Sequence, residues 1–201
     1  MTTEDLVFDA DGTPIMPDLL LHAYRDRLFP MAEDREERFR WFRPPVRAVI
    51  TWDTWRIPRS LKKIAKKQPY RISFDEDFEG VIAQCAERSD TWICRDIERL
   101  FIAAYKRGYA HSVEAWRDDE LVGGLYGLCI GGCFCGESMF HRADHASKLC
   151  VIALVERLQA SDFGLLDCQQ QTPHMQRFGA YEVTDSAYAA LLAQHRERRK
   201  F

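Results

Sequence analysis

Apolar residues recur every three or four positions in some stretches of the chain and every second position in others. Leu20, Leu21, Ala23, Tyr24 and Leu28 give residues 17–28 a helical stripe, which "FPM" ends. Two prolines at 44–45 precede a β-branched run that reads as a strand up to Trp52. Arg59 to Lys67 predicts a helix with Leu61, Ile64 and Ala65 inward, stopped by Gln68-Pro69. "YRISFD" is a strand, and "EDFEGVIAQCAER" is a helix with Phe78, Val81, Ile82 and Cys85 inward. "TWICRDIERLFIAAYKRGYA" reads as a loop and then a helix closed by Gly108. Strands at 112–117, 120–130 and 133–138, joined at Asp118-Asp119 and Gly131-Gly132, predict an antiparallel meander. A strongly apolar helix follows, with Leu149, Ile152, Ala153 and Val155 inward. Then come the strand "GLLDCQ", a short helix with Thr172 as N-cap and Gly179 past its end, the strand "YEV" and a final helix.

This order predicts an α+β protein: a mixed sheet flanked by helices, compatible with the acyl-CoA N-acyltransferase type. A small N-terminal domain is expected over 1–57 and a larger one over 58–201.

Composition sets the class. The 201 residues are 46% hydrophobic and 29% charged, as in a soluble globular protein. There is no apolar run long enough to cross a bilayer, so no membrane partner is expected. The acidic start, "MTTEDLVFDADG", lacks the basic and apolar regions of a secretory signal, and a cytoplasmic location is expected. None of the seven cysteines forms a C-x-x-C pair; they read as reduced core thiols, and no metal site is expected. His141 and His145 read as surface histidines.

Charge adds a local feature. The net charge is −3, yet residues 56–71 hold Arg56, Arg59, Lys62, Lys63, Lys66, Lys67 and Arg71 without an acid. The upstream run "AEDREER" is mixed and mostly acidic. A basic stripe on a near-neutral chain fits a polyanion or an ordinary solvated face.

The candidate chemistry sits in "GLLDCQQQTP". Asp167 and Gln169 are two residues apart and share one face of a strand; Cys168 faces the other way. On the residues alone, this is either a polar strand end or a substrate-handling pair.

Several strings stand together in order: "TWI" (91–93), "GYAHSVEAWRDDELVGGLYG" (108–127), "FCGESMF" (134–140), "ASK" (146–148), "LLDCQ" (165–169) and a histidine followed five residues later by "GA" (174–180). With "FP", "PPVRAV" and "RSLKK" upstream, they resemble the leucyl/phenylalanyl-tRNA–protein transferase family from about Tyr24 to Leu192. The resemblance implies an aminoacyltransferase with a larger domain of N-acyltransferase fold. It would move Leu or Phe, with Met as a further candidate, from aminoacyl-tRNA to the N-terminal amine of proteins that begin with Lys or Arg. That product is a degradation tag under the N-end rule. No cofactor is implied, and the chain is expected to act as a monomer.

The same resemblance implies the site. Asp167 and Gln169 become the catalytic pair. Glu137 would grip the α-amino group of the aminoacyl moiety, with Ser138 beside it. Leu125, Phe134, Val151, Leu154, Leu158 and Leu166 become the wall of an apolar pocket, and Trp92 a platform for the terminal adenine. Arg59, Lys62, Lys63, Lys66, Lys67 and Arg71 would meet tRNA phosphates. The chain departs from the family pattern on the adenosine side: Met31 replaces an aromatic residue after "FP", Trp41-Phe42-Arg43-Pro44 replaces "WWSP", and Cys94 follows "TWI". Two other functions fit the fold class: an acetyl-CoA-type N-acyltransferase, or a non-catalytic module that binds aminoacyl-tRNA or degrons. The first is disfavoured because "FHRADHASK" lacks the glycines of a pyrophosphate loop.

Overall fold

The computed structural model describes residues 7–8, 14–35, 38–88 and 91–201. Most of the acidic N-terminal stretch, and Glu36 and Glu37 of the mixed-charge run, lie outside them. The elements run β1 (Val7–Phe8), β2 (Pro14–Ile15), α1 (Pro17–Arg25), β3 (Phe29–Met31), β4 (Arg40–Phe42), β5 (Val46–Ile50), α2 (Arg59–Ala65), β6 (Arg71–Phe74), α3 (Phe78–Ala86) and α4 (Arg95–Lys106). They continue with β7 (Ala110–Arg117), β8 (Glu120–Ile130), β9 (Cys133–His141), α5 (Ala146–Ala160), β10 (Leu165–Gln169), α6 (Pro173–Phe178), β11 (Tyr181–Thr184) and α7 (Asp185–Gln194). Among the described residues no helix is long and apolar enough to cross a membrane.

The predicted helices and the meander form where the apolar periodicity puts them. Thr172 caps α6 by accepting from the Met175 amide at 3.1 Å, and Gly179 closes it at φ +104°. Two expectations change. "FPM" does not merely end α1; it forms β3, a ribbon with β4 in which Pro30 faces Trp41. Three residues are too few to show a period, and the partner lies across a loop. The third meander strand runs on past 138 to His141.

The main sheet has seven strands in the order β11-β5-β10-β9-β8-β7-β6. All neighbours are antiparallel except β9 and β10. β5 precedes the boundary expected at 57/58, yet it pairs with both β10 and β11 inside this sheet. A division at 57/58 would separate it from both neighbours.

Strand alternation sends successive side chains to two helical layers. Val49, Tyr126, Cys133, Cys135 and Leu165 bury against α1, α3, α4 and α7. Ile50, Leu125, Phe134 and Leu166 bury against α2, α5 and α6. The sheet is therefore covered on both faces, and a ligand can reach its interior only where neighbouring strands part.

Candidate active site

They part between β9 and β10. The parallel ladder pairs Leu165 with Cys133, Leu166 with Phe134 and Asp167 with Cys135, and then stops. Beyond it β9 continues through Gly136 to Met139 against β8 alone, while the chain after Gln169 turns away into α6. The gap is a cavity of about 330 Å³ that takes side chains from both faces of the sheet. That volume is at the small end of the range for ligand sites.

Two bulges flank the gap. On β9, Tyr126 faces Ser138 and Gly127 faces Gly136, so Glu137 is the extra residue. On β10 the register slips between Asp167 and Gln169, with Gln169 in the left-handed region at φ +57°. A bulge re-aims a side chain and ends pairing. Here both bulges turn polar residues into one opening.

Asp167 is fully enclosed. Its Oδ2 accepts from Arg47 Nη1 at 2.7 Å and from the Tyr188 hydroxyl at 2.7 Å, and its Oδ1 accepts from the Gln169 amide at 2.7 Å. Register explains the ion pair: Asp167 lies opposite Val49, and Arg47 is the diagonal neighbour on the same face of β5. Arg47 is 1% exposed and lies over the rings of Phe29 and Tyr188. Burial works against its charge, but the attraction of Asp167 with smaller contributions from other groups more than offsets this, and its pKa rises.

Glu137 is held on one side only. The Gln169 side-chain amide donates to its Oε1 at 2.8 Å, whereas Oε2 is buried with no hydrogen-bond partner. Burial pushes its pKa up to about 8, against the pull of the Tyr24 hydroxyl and the Gln169 amide. The Tyr24 hydroxyl lies near Glu137 but outside hydrogen-bond geometry, the Tyr126 hydroxyl is buried and unpartnered, and burial plus the Glu137 charge pushes both phenols well up. Glu137 therefore keeps a proton at neutral pH when no charge lies beside it, and a cation brought to Oε2 favours the ionised form.

Two comparisons with known proteins, a family model and a curated relative, name the same family. The family model described as leucyl/phenylalanyl-tRNA protein transferase matches residues 49–193. The chain belongs to that family. A leucyl/phenylalanyl-tRNA–protein transferase from Rubrobacter xylanophilus (strain DSM 9941 / JCM 11954 / NBRC 16129 / PRD-1) is 44% identical over 181 residues, which span 90% of this chain and 94% of that protein. Among solved structures, that of L-PGS from Bacillus licheniformis aligns with a TM-score of 0.45 and 13% identity, over 88% of this chain and 69% of that one. The chain is thus an aminoacyltransferase.

Most of the residues expected at the site do meet there. Glu137, Ser138, Trp92, Leu125, Val151, Leu154, Leu166, Asp167 and Gln169 all line the cavity. Phe134 and Leu158 do not; they are wholly buried in the layer against α5. Both face the right layer without lining the cavity, a distinction that strand and helix periods cannot make. Cys168 packs on Leu166's side of β10, as alternation requires, and also reaches the cavity. Ser138 accepts a 2.8 Å hydrogen bond from Arg88 at the rim. Trp92 is joined to the end of β3 by the Ala32 amide, which donates to its carbonyl at 3.1 Å, so Met31 and Trp92 line the same end of the cavity.

The basic residues are elsewhere. Arg59, Lys62 and Lys63 are exposed on α2, with Lys66 and Lys67 just past its last turn. α2 packs on α5, whose Val151 and Leu154 line the cavity. Arg71 begins β6 at the far edge of the sheet, with both guanidinium nitrogens on Glu76 at 2.6 and 2.9 Å.

Sequence reasoning missed Arg47, Tyr188, Tyr24 and Tyr126. Arg47 carried a sign: a lone arginine in "VRAVI", a strand otherwise apolar throughout. Tyr188 carried none, because it reads as one more apolar position of α7.

Proposed function

We propose that the β9/β10 cleft carries out the family reaction: transfer of leucine or phenylalanine from aminoacyl-tRNA to the N-terminal amine of an acceptor protein. The observation that carries this reading is the cleft itself, where a half-satisfied Glu137 and a tethered Gln169 face an apolar wall. Leu125, Val151, Leu154 and Leu166 take the donor side chain. Apolar pockets separate similar side chains weakly, so leucine and phenylalanine are both accepted and methionine is a weaker donor. The donor's α-ammonium favours ionised Glu137, whose proton leaves to solvent as Oε2 takes the ammonium, and Trp92 stacks the terminal adenine.

The step is aminolysis of an ester. The acceptor nitrogen bonds to the carbonyl carbon, the bond to the ribose oxygen breaks, and the amine proton ends on that oxygen. Gln169 has two side-chain N–H groups; one goes to Glu137, and the other is offered to the carbonyl oxygen as it gains charge. Asp167 is unexposed and already accepts three hydrogen bonds. It acts as a positioning residue, fixing Gln169 through the backbone amide. Orienting two large substrates supplies most of the remaining rate.

Arg59, Lys62, Lys63, Lys66 and Lys67 meet phosphates of the acceptor stem, a reading supported by their exposure and by the contact of α2 with α5. Lys- or Arg-initiated proteins are the acceptors, the reaction takes place in the cytoplasm, and the chain works as a monomer. A parallel pair that opens inside an otherwise antiparallel sheet supports the acyl-CoA N-acyltransferase type of fold. The test is transfer of labelled leucine or phenylalanine from charged tRNA to peptides with different first residues. Transfer to Lys- and Arg-initiated peptides, lost in Asp167→Ala, is expected; no transfer from any charged tRNA would overturn the reading.

A further inference from the structure

A second feature lies at the other end of the sheet. After α7 the last seven residues, 195–201, run back over the β8–β9 turn. The Gly132 amide donates to the His195 carbonyl at 2.6 Å, and the Arg199 amide donates to the Gly131 carbonyl at 3.2 Å. A Cβ at Gly131 would collide with the His195 carbonyl, and one at Gly164 with the His195 ring. Gly131 also has φ +60°. Phe201 stacks on His111 at 4.3 Å between ring centres and lies against Phe134 at 5.5 Å. Both ends of this strap are therefore fixed, which sets where the backbone of residues 196–200 carries its cations.

The strap, α1 and the turn after α4 line a groove of about 810 Å³. Arg25, Arg196, Arg198, Arg199 and Lys200 line it. Its acid, Asp18, is already taken by Arg107 at 2.6 Å and by the Tyr109 hydroxyl at 3.1 Å. Arg198 lies over the Tyr109 ring, and Arg199 pairs with Glu197. Arg25, Arg196 and Lys200 make no ion pair among the described residues. A second, smaller groove shares Arg25, Gly131 and Arg196 with the first.

Cations gathered in one groove on a chain of net charge −3 match a polyanionic ligand. We propose that this groove binds phosphates of the tRNA body, away from the aminoacyl end. The proposal rests on the tRNA-dependent transfer reading of the cleft. Gly132 is five residues before Glu137 on the chain, about 17 Å along an extended strand, so the groove and the cleft are separate sites. The alternative occupant is an acidic surface of the acceptor protein. Acceptors have in common only their first residues, whereas every donor carries the same phosphate backbone, so RNA is the better fit.

The test is the triple variant Arg25→Ala, Arg196→Ala, Lys200→Ala. Uncharged tRNA is titrated by fluorescence anisotropy over a salt series. Transfer rates are then measured with charged tRNA and with leucyl-adenosine, a donor without a tRNA body. We expect affinity for tRNA to fall about tenfold near physiological salt, and the salt slope to flatten by about 2 to 3. KM for charged tRNA should rise to match, while leucyl-adenosine transfer and thermal stability stay as in the wild type. Unchanged tRNA affinity and slope would overturn the proposal. So would a rise in KM confined to the protein acceptor, which would assign the groove to that partner. A wild type that binds tRNA through the groove but transfers from neither donor would instead overturn the reading of the cleft.

Discussion

Asp167 and Glu137 line one cleft, but their surroundings are opposite. Asp167 is tied down by Arg47, Tyr188 and the Gln169 amide. Glu137 has a single bond, from the Gln169 side chain, and a bare oxygen. The first carboxylate belongs to the framework; the second is left for a ligand. Gln169 touches both and carries the order of one to the other. Burial alone does not distinguish the two, since both are under 10% exposed. The partners do.

Breaking the fixed side has the largest effect. Arg47→Ala leaves a buried carboxylate without its cation, which costs about 3–5 kcal/mol. Differential scanning calorimetry should show a melting point lower by roughly 10 °C. Transfer should be lost with it, because Gln169 is then unanchored.

Glu137→Gln probes the open side through pH. In the folded chain Glu137 keeps its proton up to a pKa of about 8, whereas the unfolded side chain loses it near the ordinary glutamate value. Between these values the native state binds more protons, so this group makes stability fall as pH rises. Its share of the loss is on the order of 5 kcal/mol across that window. Denaturant titrations from pH 5 to 8 should show the wild type weakening relative to Glu137→Gln. Parallel pH profiles would contradict the assignment.

Tyr188→Phe removes one donor from Asp167 and keeps the ring under Arg47. It should cost about 1.5–3 kcal/mol in urea unfolding and lower kcat more than KM. The smallest effect is expected at Arg71. Its partners are an exposed glutamate and the ring of Trp116 at the far edge of the sheet, so Arg71→Ala should shift unfolding only slightly and leave KM for tRNA unchanged within error.

The same two-sidedness explains what could be read from the sequence. Helices α3, α4 and α5, the meander and the α6 caps follow from period, turn residues and capping, all of which are local. The shared face of Asp167 and Gln169 was legible from a two-residue spacing, and the family strings gave the pair and Glu137 their roles. The bulges at Glu137 and Gln169 were not legible, because a bulge exists only relative to a partner strand. The place of β5 between β10 and β11 was hidden too; it depends on contacts more than 100 residues away in sequence. Arg47 stood out as the one charge in an apolar strand, but only the register of β5 on β10 sets it against Asp167.

The most direct test of the cleft is a crystal structure with a hydrolysis-resistant amide analogue of phenylalanyl-adenosine. We predict the phenyl ring against Leu125, Val151, Leu154 and Leu166, the ammonium within hydrogen-bond distance of Glu137 Oε2, and the Asp167–Arg47 pair unmoved. Binding outside the β9/β10 opening, or an ammonium held by any group other than Glu137, would contradict the account.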